Sequence, residues 1–317
     1  MNSSVKWYAG LEHVVRENVS LSAMTSYKTG GRAEYFAEPN SEAELGTVLT
    51  RAADNFLPVK ILGSGSNLLV ADRGVKGLIV RLPRTGFAKV VRDGHKLSAG
   101  AGHSLPALVN YTVNRGMAGM ECLVGVPGTV GAALRMNAGG KYGEIGSRVR
   151  SVSGFTLDGT PFQWDHDHCN FKYRDSGLKD RVVTRCEMEL EETGPGYGTE
   201  MTKQIISEKS KTQPLSARSA GCVFKNPRKI GVASAGKLID EAGLKGTSIG
   251  GAIISTRHAN FLVTGEGANS SDLAALIRMV RDRVWKREGV LLELEIAVWG
   301  FQSGELLPFG PECLAVA

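Results

Sequence analysis

With 317 residues, 42% of them hydrophobic and 22% charged, the chain is too long for a peptide hormone or small module and has room for roughly two or three domains. No apolar run approaches the ~18 residues of a membrane span, and the opening residues lack the apolar stretch of a secretory leader, so a cytoplasmic protein without membrane association is expected. The net charge of +6 is interleaved with acids and has no basic run or aromatic-rich RNA-binding pattern, which argues against nucleic acid and suits an anionic small substrate.

A short helix is expected around residues 11–18, then the turn Thr25-Ser26-Tyr27-Lys28-Thr29-Gly30-Gly31, where Lys28 is either an anion contact or a solvated loop lysine, then a strand at 33–37. Over 41–53, Leu45, Val48, Leu49 and Ala52 share one helical face, and Ser41 with Glu44 three residues on makes a capping box. A strand at 59–62 runs into Gly63-Ser64-Gly65-Ser66-Asn67-Leu68, and another strand follows at 77–82, a β-α-β unit with a polar glycine loop at a strand's carboxyl end. Gly63 and Gly65 tolerate positive φ and close approach of the backbone to a ligand. Ser64, Ser66 and Asn67 add hydroxyl and amide groups beside a nest of backbone N–H donors, as a pyrophosphate requires. The Walker pattern fails for want of Gly-Lys-Ser/Thr, and the Rossmann fingerprint fails because its third glycine position holds Leu68. On local sequence the loop is a phosphate cradle of another architecture or a plain chain reversal.

Short strands at 88–91 and 96–99 continue a sheet, and 105–115 reads as an amphipathic helix closed by Gly116. In the second glycine-rich stretch, 123–140, Pro127 sets a turn or a helix start. Gly125, Gly128 and Gly131 strip side chains from one face there, leaving open both a flat ring against the backbone and close helix packing. Strands at 150–157 and 181–191 flank Phe171-Lys172-Tyr173-Arg174-Asp175-Ser176, where Arg174, read alone, is a surface ion pair or a catalyst. The glycine- and glutamate-rich run at 192–200 marks a domain seam. Beyond it come helices at 200–212 and 234–242, strands at 252–255 and 260–263, a helix at 272–288 capped by Ser271, and a last strand at 291–298, an α+β unit. The five cysteines, Cys122, Cys169, Cys186, Cys222 and Cys313, form no Cys-x-x-Cys pair. They fit reduced thiols rather than a disulfide frame or a zinc site; four are expected to be ordinary thiols and no metal is expected.

Seven motifs occur in one order: the loop at 63–70; Val126-Pro127-Gly128-Thr129-Val130-Gly131-Ala132 with Met136-Asn137-Ala138-Gly139; Tyr173-Arg174-Asp175-Ser176; Gly221-Cys222-Val223-Phe224-Lys225-Asn226-Pro227; Gly236-Lys237-Leu238-Ile239-Asp240-Glu241-Ala242-Gly243; His258-Ala259-Asn260-Phe261; and Leu292-Glu293-Leu294-Glu295. This set, running from about residue 21 to 300, resembles the UDP-N-acetylenolpyruvoylglucosamine reductases, in their shorter subtype. The resemblance implies an α+β chain with a two-part FAD-binding domain of the vanillyl-alcohol-oxidase type at 1–198, its subdomains at about 20–83 and 84–198, and an α+β substrate-binding domain at 199–317. It implies a monomer holding FAD noncovalently and using NADPH to reduce UDP-N-acetylglucosamine enolpyruvate to UDP-N-acetylmuramate for peptidoglycan. The implied catalytic positions are Arg174, Cys222 and Glu295, with Tyr173, Lys225 and Asn226 toward substrate. The flavin side falls on Gly63, Ser64, Gly65, Ser66, Asn67, Leu68, Gly128, Thr129, Asn137, Ala138 and Gly139.

Two departures stand out. Many relatives carry serine where this chain has Cys222, and Gly140-Lys141 alters the spacing before Tyr142. Glu293 and Glu295 alternate to one strand face, so the choice of Glu295 rests on the resemblance. Another FAD oxidoreductase of the same flavin fold would keep the glycine loops but need neither Lys225-Asn226 nor Glu295. A nucleotide-sugar-binding regulator without turnover is the reading of a different class, and three usable catalytic groups argue against it.

Overall fold

In the computed structural model, residues 6–194, 196–228 and 231–308 are described; Cys313 lies outside them. The chain divides into two compact units. The first comprises Met1–Val19, Glu34–Ser64 and Lys76–Glu208. The second comprises Ser20–Ala33, Gly65–Val75 and Lys209–Ala317, so it takes in two N-terminal segments. The C-terminal division falls inside the helix Tyr197–Thr212, later than the 198/199 seam expected from the glycine-rich run.

In the first unit, a four-stranded sheet runs in the order Val15–Ser20, Arg32–Ala37, Val75–Arg81, Val59–Leu62. The helix Glu42–Asp54 buries Leu45, Val48, Leu49 and Ala52 in one core with Leu78 and Val80. Ser41 caps it by accepting from the Glu44 N–H at 3.2 Å, while the Glu44 carboxylate reaches back to the Asn40 N–H at 2.7 Å. Residues expected as a helix at 11–18 form turns that lead into the strand Val15–Ser20. Val14 and Val15 are β-branched and buried, and pairing with Arg32–Ala37 outweighs their weak helical spacing.

The strands Val59–Leu62 and Val75–Arg81 pair in parallel, while the helix Glu42–Asp54 connects Arg32–Ala37 to Val59–Leu62, which are not neighbours in the sheet. The chain between Val59–Leu62 and Val75–Arg81 leaves this sheet for the second unit. A five-stranded antiparallel sheet completes the first unit in the order Pro161–Asp165, Val149–Thr156, Arg181–Glu189, Lys96–Gly100, Val90–Asp93. Pro161–Asp165 is an edge strand that the sequence reading missed; it opens on a proline and three of its five residues are exposed. Against this sheet pack the helices Leu105–Val113, capped by Ser104, and Val130–Arg135, capped by Thr129, around a core that includes Leu97, Leu108, Val130 and Ile145.

The second unit holds a three-stranded antiparallel sheet, Ser248–Ile249, Ala252–Ile254 and Leu262–Thr264. The helix Ser270–Glu288 buries Leu273, Leu276, Ile277, Val280 and Val284, the i, i+3, i+4, i+7 stripe of a core-facing helix. Its cap is Asn269, not the expected Ser271, because Asp272 stands at N3 and completes the capping box only from that position. The Asp72 carboxylate accepts from the N–H groups of Ser270 and Ser271, both at 3.0 Å, which satisfies two more amides of the first turn. Leu68–Val70 pairs in parallel with Ala297–Trp299. The expected strand at 291–298 narrows to these last residues, since Leu294 bridges to Phe224 and the chain bends at Ile296. Arginines hold the chain on both sides of this last strand: Arg281 donates to the carbonyls of Leu292 at 2.9 Å and Leu306 at 2.8 Å, and Arg73 to that of Gly300 at 2.6 Å. Among the described residues no helix is long and apolar enough to cross a membrane.

Candidate active site

The two glycine-rich stretches singled out in the sequence meet in the first unit. A Cβ added to Gly63 would stand 3.0 Å from Ala132 Cβ and 3.1 Å from Thr129 Oγ1, so the start of the first loop lies directly against the turn that opens the second helix. That turn is pinned by backbone bonds: the Gly128 carbonyl accepts from Leu105 N–H at 2.9 Å, and Val130 N–H donates to His103 at 3.0 Å. A side chain at Gly63 would fill the space between them. The paired glycine turns, with the Ser64, Ser66 and Thr129 hydroxyls beside them in sequence, therefore fit a group that must lie close to backbone, as a dinucleotide pyrophosphate does.

The same loop finishes in the second unit. Gly65 has φ +68, and a Cβ there would meet Met24 O at 2.0 Å. Its carbonyl accepts from Ser26 N–H at 3.1 Å. The Asn67 carbonyl accepts from Ala297 N–H at 2.9 Å, and its Nδ2 donates to the Glu295 carbonyl at 3.2 Å. Leu68 is buried at the start of its strand. Lys28, an open choice in the sequence, is exposed and donates to the Ala23 carbonyl at 2.9 Å.

Cys222, Lys225, Asn226 and Glu295 are brought together on neighbouring backbone segments of the second unit. Glu295 N–H donates to the Val223 carbonyl and Lys225 N–H to the Glu293 carbonyl, each at 2.8 Å. On the other side Cys222 bridges to Phe261, and Val223 N–H donates to Asn260 at 2.9 Å. The Lys225 ammonium pairs with Glu293 at 3.4 Å; Glu293 is 77% exposed. Asn226 uses its Oδ1 to accept from Ala235 N–H at 3.0 Å at the start of the next helix.

Two residues of this region carry work that the sequence reading did not assign. The buried Asn260 amide accepts from Phe224 N–H at 2.9 Å and donates to the Phe224 carbonyl at 2.8 Å, fixing the segment that bears Cys222. Its only sequence signal is its place in the His258-Ala259-Asn260-Phe261 motif. Tyr27 is fully buried in the same core as Ala220 and Val223. Burial raises its hydroxyl above the usual tyrosine range; the Ala220 backbone opposes this and the nearby Cys222 sulfur adds to it. Among the thiols, Cys222 and Cys122 are half-buried, whereas Cys186 is pushed up to about 12 and Cys169 to about 11, both chiefly by burial.

Arg174 and Tyr173 belong to the first unit. Arg174 has φ +54 in a turn closed by Lys172 N–H to Asp175 O at 2.9 Å and Asp175 N–H to Lys172 O at 3.0 Å. Its guanidinium lies 5.1 Å from the Tyr173 ring centroid. Gly139 and Gly140 pair with Glu144 and Gly143 in a tight hairpin, so the altered spacing before Tyr142 is absorbed as a two-residue turn. At that turn the Lys141 ammonium, at 3.1 Å, and the Tyr142 hydroxyl both bind the Glu208 carboxylate. Ala138 closes the hairpin base by accepting from Ile145 N–H at 2.8 Å. Asn137, expected on the flavin side, is buried, and its side-chain amide bonds to Glu144, Gly146 and Lys172.

Residues 33–164 match the model of an FAD binding domain, and residues 213–299 match that of the UDP-N-acetylenolpyruvoylglucosamine reductase C-terminal domain. The UDP-N-acetylenolpyruvoylglucosamine reductase of Heliobacterium modesticaldum is 38% identical over 294 residues, covering 92% of this chain and 93% of that one. An enzyme of the same name from Symbiobacterium thermophilum is 39% identical over 90% and 92% of the two chains. The crystal structure of UDP-N-acetylenolpyruvylglucosamine reductase from Thermus caldophilus superposes with a TM-score of 0.79 at 36% identity, covering 90% of this chain and 99% of that one. The chain belongs to the UDP-N-acetylenolpyruvoylglucosamine reductase family.

Proposed function

We propose that the protein is an FAD-containing oxidoreductase that uses NADPH to reduce the enolpyruvyl group of UDP-N-acetylglucosamine enolpyruvate, giving UDP-N-acetylmuramate for peptidoglycan precursor synthesis. The reading carries with it action as a monomer in the cytoplasm. The observation that supports it most directly is the backbone pairing of the Cys222-to-Asn226 segment with the Glu293-to-Glu295 segment, which sets side by side the two stretches of chain that bear Cys222, Lys225, Asn226 and Glu295.

When bound, FAD supplies a hydride that it has taken from NADPH. The glycine turns at 63–68 and 128–129, with the backbone at 138–139, are assigned to holding it, while the Asn137 amide is engaged by Glu144, Gly146 and Lys172. Hydride addition at the methylene carbon of the enol ether leaves charge on the neighbouring carbon and its carboxylate, and such charge needs preorganised donors. Arg174 presents a permanently charged fork suited to that carboxylate, and its stacking on Tyr173 limits the rotamers it can adopt. Glu295 contributes a hydrogen bond or proton to the same charge, held in register by its own N–H on Val223. The Cys222 thiol gives its proton to the carbon left negative, so that a hydrogen is added to each end of the double bond and the thiolate is reprotonated from solvent. Lys225 and Asn226 are assigned to the substrate, Lys225 after exchanging Glu293 for a substrate anion.

Anaerobic mixing of the flavin-loaded protein with NADPH, then with the enolpyruvyl UDP sugar, tests the reading through flavin absorbance. Bleaching by NADPH and recovery on addition of the sugar is the expected result. Bleaching without recovery would favour another flavin oxidoreductase, and no bleaching would favour a protein that binds without turnover.

A further inference from the structure

Arg174 needs an explanation that its own turn does not supply. A left-handed backbone costs a residue with a Cβ roughly 1–2 kcal/mol, and a position of this kind persists only where its surroundings over-determine it. The two backbone bonds between Lys172 and Asp175 close the turn but leave its attachment to the rest of the unit open.

At the far end, Ser176 Oγ donates to the Arg135 carbonyl at 2.8 Å, and its N–H donates to Asp175 Oδ1 at 2.9 Å. At the near end, the Lys172 carbonyl accepts a second bond, from Asn137 Nδ2 at 3.0 Å. That nitrogen also donates to Glu144 Oε2 at 2.6 Å, and Asn137 Oδ1 accepts from Gly146 N–H at 3.0 Å. The amide is 2% exposed, and a Cβ at Gly146 would meet Asn137 Oδ1 at 2.7 Å and Phe171 Cγ at 2.6 Å, so there is little slack around it. Only a carboxamide can donate to both Glu144 and Lys172 while accepting from Gly146.

We propose that Asn137, oriented by Glu144, is a positioning residue that fixes the turn presenting Arg174 to the substrate. The inference rests on the role given above to Arg174 and deepens it. Aspartate at 137 keeps the acceptor for Gly146 but loses both donations and sets a carboxylate against Glu144. The Lys172 carbonyl then keeps its bond from Asp175 N–H but loses its tie to residue 137, and the arginine's geometry loosens without any change in its charge. Displacements of about 1 Å in a positioned group cost up to roughly a hundredfold in rate.

The test separates the two half-reactions in Asn137→Asp, Glu144→Gln, Arg174→Ala and the Asn137→Asp/Arg174→Ala pair. Asn137→Asp is expected to bleach with NADPH at the wild-type rate but to be reoxidised by the enolpyruvyl UDP sugar at least about tenfold more slowly. Glu144→Gln, which keeps an acceptor oxygen, is expected to stay within about twofold of wild type. In the Arg174→Ala background Asn137→Asp is expected to add less than about twofold, because a residue that acts through Arg174 has nothing left to position. A full additional slowing in that background, or a wild-type reoxidation rate in Asn137→Asp, overturns the inference while leaving the role of Arg174 standing. Wild-type reoxidation in Arg174→Ala alone overturns that role first, and this inference with it. If Asn137→Asp yields no folded, flavin-loaded protein, Glu144→Ala carries the same two readouts and the same comparison with Arg174→Ala.

Discussion

Replacing Gly65 by alanine should separate a nucleotide loop from a plain turn. The added Cβ would sit 2.0 Å from Met24 O and 3.0 Å from both Met24 C and Thr25 Cα, where ordinary contact begins at 3.4 Å. The backbone at 24–25 must therefore retreat by ~1.4 Å, which a close-packed interior resists. That retreat breaks the Ser26 N–H to Gly65 O bond of 3.1 Å. The positive φ adds roughly 1–2 kcal/mol for any residue with a Cβ, the lost bond about 1, and the overpacking about 1–3. The strain, roughly 3–6 kcal/mol, is relieved if the loop opens, and at 1.4 kcal/mol per tenfold the FAD Kd should rise by about a hundredfold or more. Gly94→Ala is the control: its φ is +56 but a Cβ there meets nothing within 4 Å, so only the conformational cost applies. The assay is fluorescence titration of the apoprotein with FAD, beside thermal melting of both variants. An FAD Kd for Gly65→Ala within about threefold of that for Gly94→Ala would refute the loop assignment, since threefold is well under 1 kcal/mol.

Cys222→Ser should keep measurable turnover, while Cys222→Ala should bleach normally with NADPH but form product at least about a hundredfold more slowly, the usual scale for a lost general acid; near-normal product formation by the alanine variant would return Cys222 to a packing role. The buried thiols give a pH dependence of defined sign. Because burial holds Cys169 near 11 and Cys186 near 12, above an unfolded thiol at 9.0, their contribution to stability is complete below about pH 9 and is lost as pH rises towards 11–12. Denaturant midpoints between pH 8 and 10.5 should therefore fall less steeply in Cys186→Ala than in the parent, and equal slopes would contradict that origin. At pH 8 in the native protein, iodoacetamide should modify Cys122 and Cys222 well before Cys169 and Cys186, as read by peptide mass spectrometry.

What was legible in the sequence was local. The cap at Ser41, the stop at Gly116 after Leu105–Val113 and the helix beyond Ser234 are set by residues within one turn of the element they end, so pattern alone finds them. The strand Val15–Ser20 was not legible, because its partner Arg32–Ala37 outweighs a weak helical spacing only once the two are side by side. The same holds for Leu68–Val70, whose pairing with Ala297–Trp299 no local rule foretells. In the candidate site, it was the family resemblance that marked Arg174 and Cys222 as catalytic positions and Asn137 as one on the flavin side; read alone, Arg174 stayed open between a surface ion pair and a catalyst. The resemblance could not tell that the Asn137 amide reaches Lys172, or that Lys225 pairs with Glu293.

The parallel pairing of Leu68–Val70 with Ala297–Trp299 has a consequence for how the protein is made. The hydrogen bond from Asn67 to Glu295 beside it spans 228 residues of chain. At equilibrium that separation matters little, since doubling a loop's length costs only about 0.6 kcal/mol. In time it matters more: at 5–20 residues per second a ribosome needs roughly 10–45 s to add those residues. For that interval Leu68, Leu69 and Val70, all buried in the finished protein, wait as an apolar strand with no partner. The flanking strands Val59–Leu62 and Val75–Arg81 are free to pair much earlier, which would leave the waiting strand looped out from a sheet already formed. Nascent chains stalled before Ala297 should accordingly be captured by chaperones or cut by protease within 65–75, and this sensitivity should vanish once the last strand has emerged.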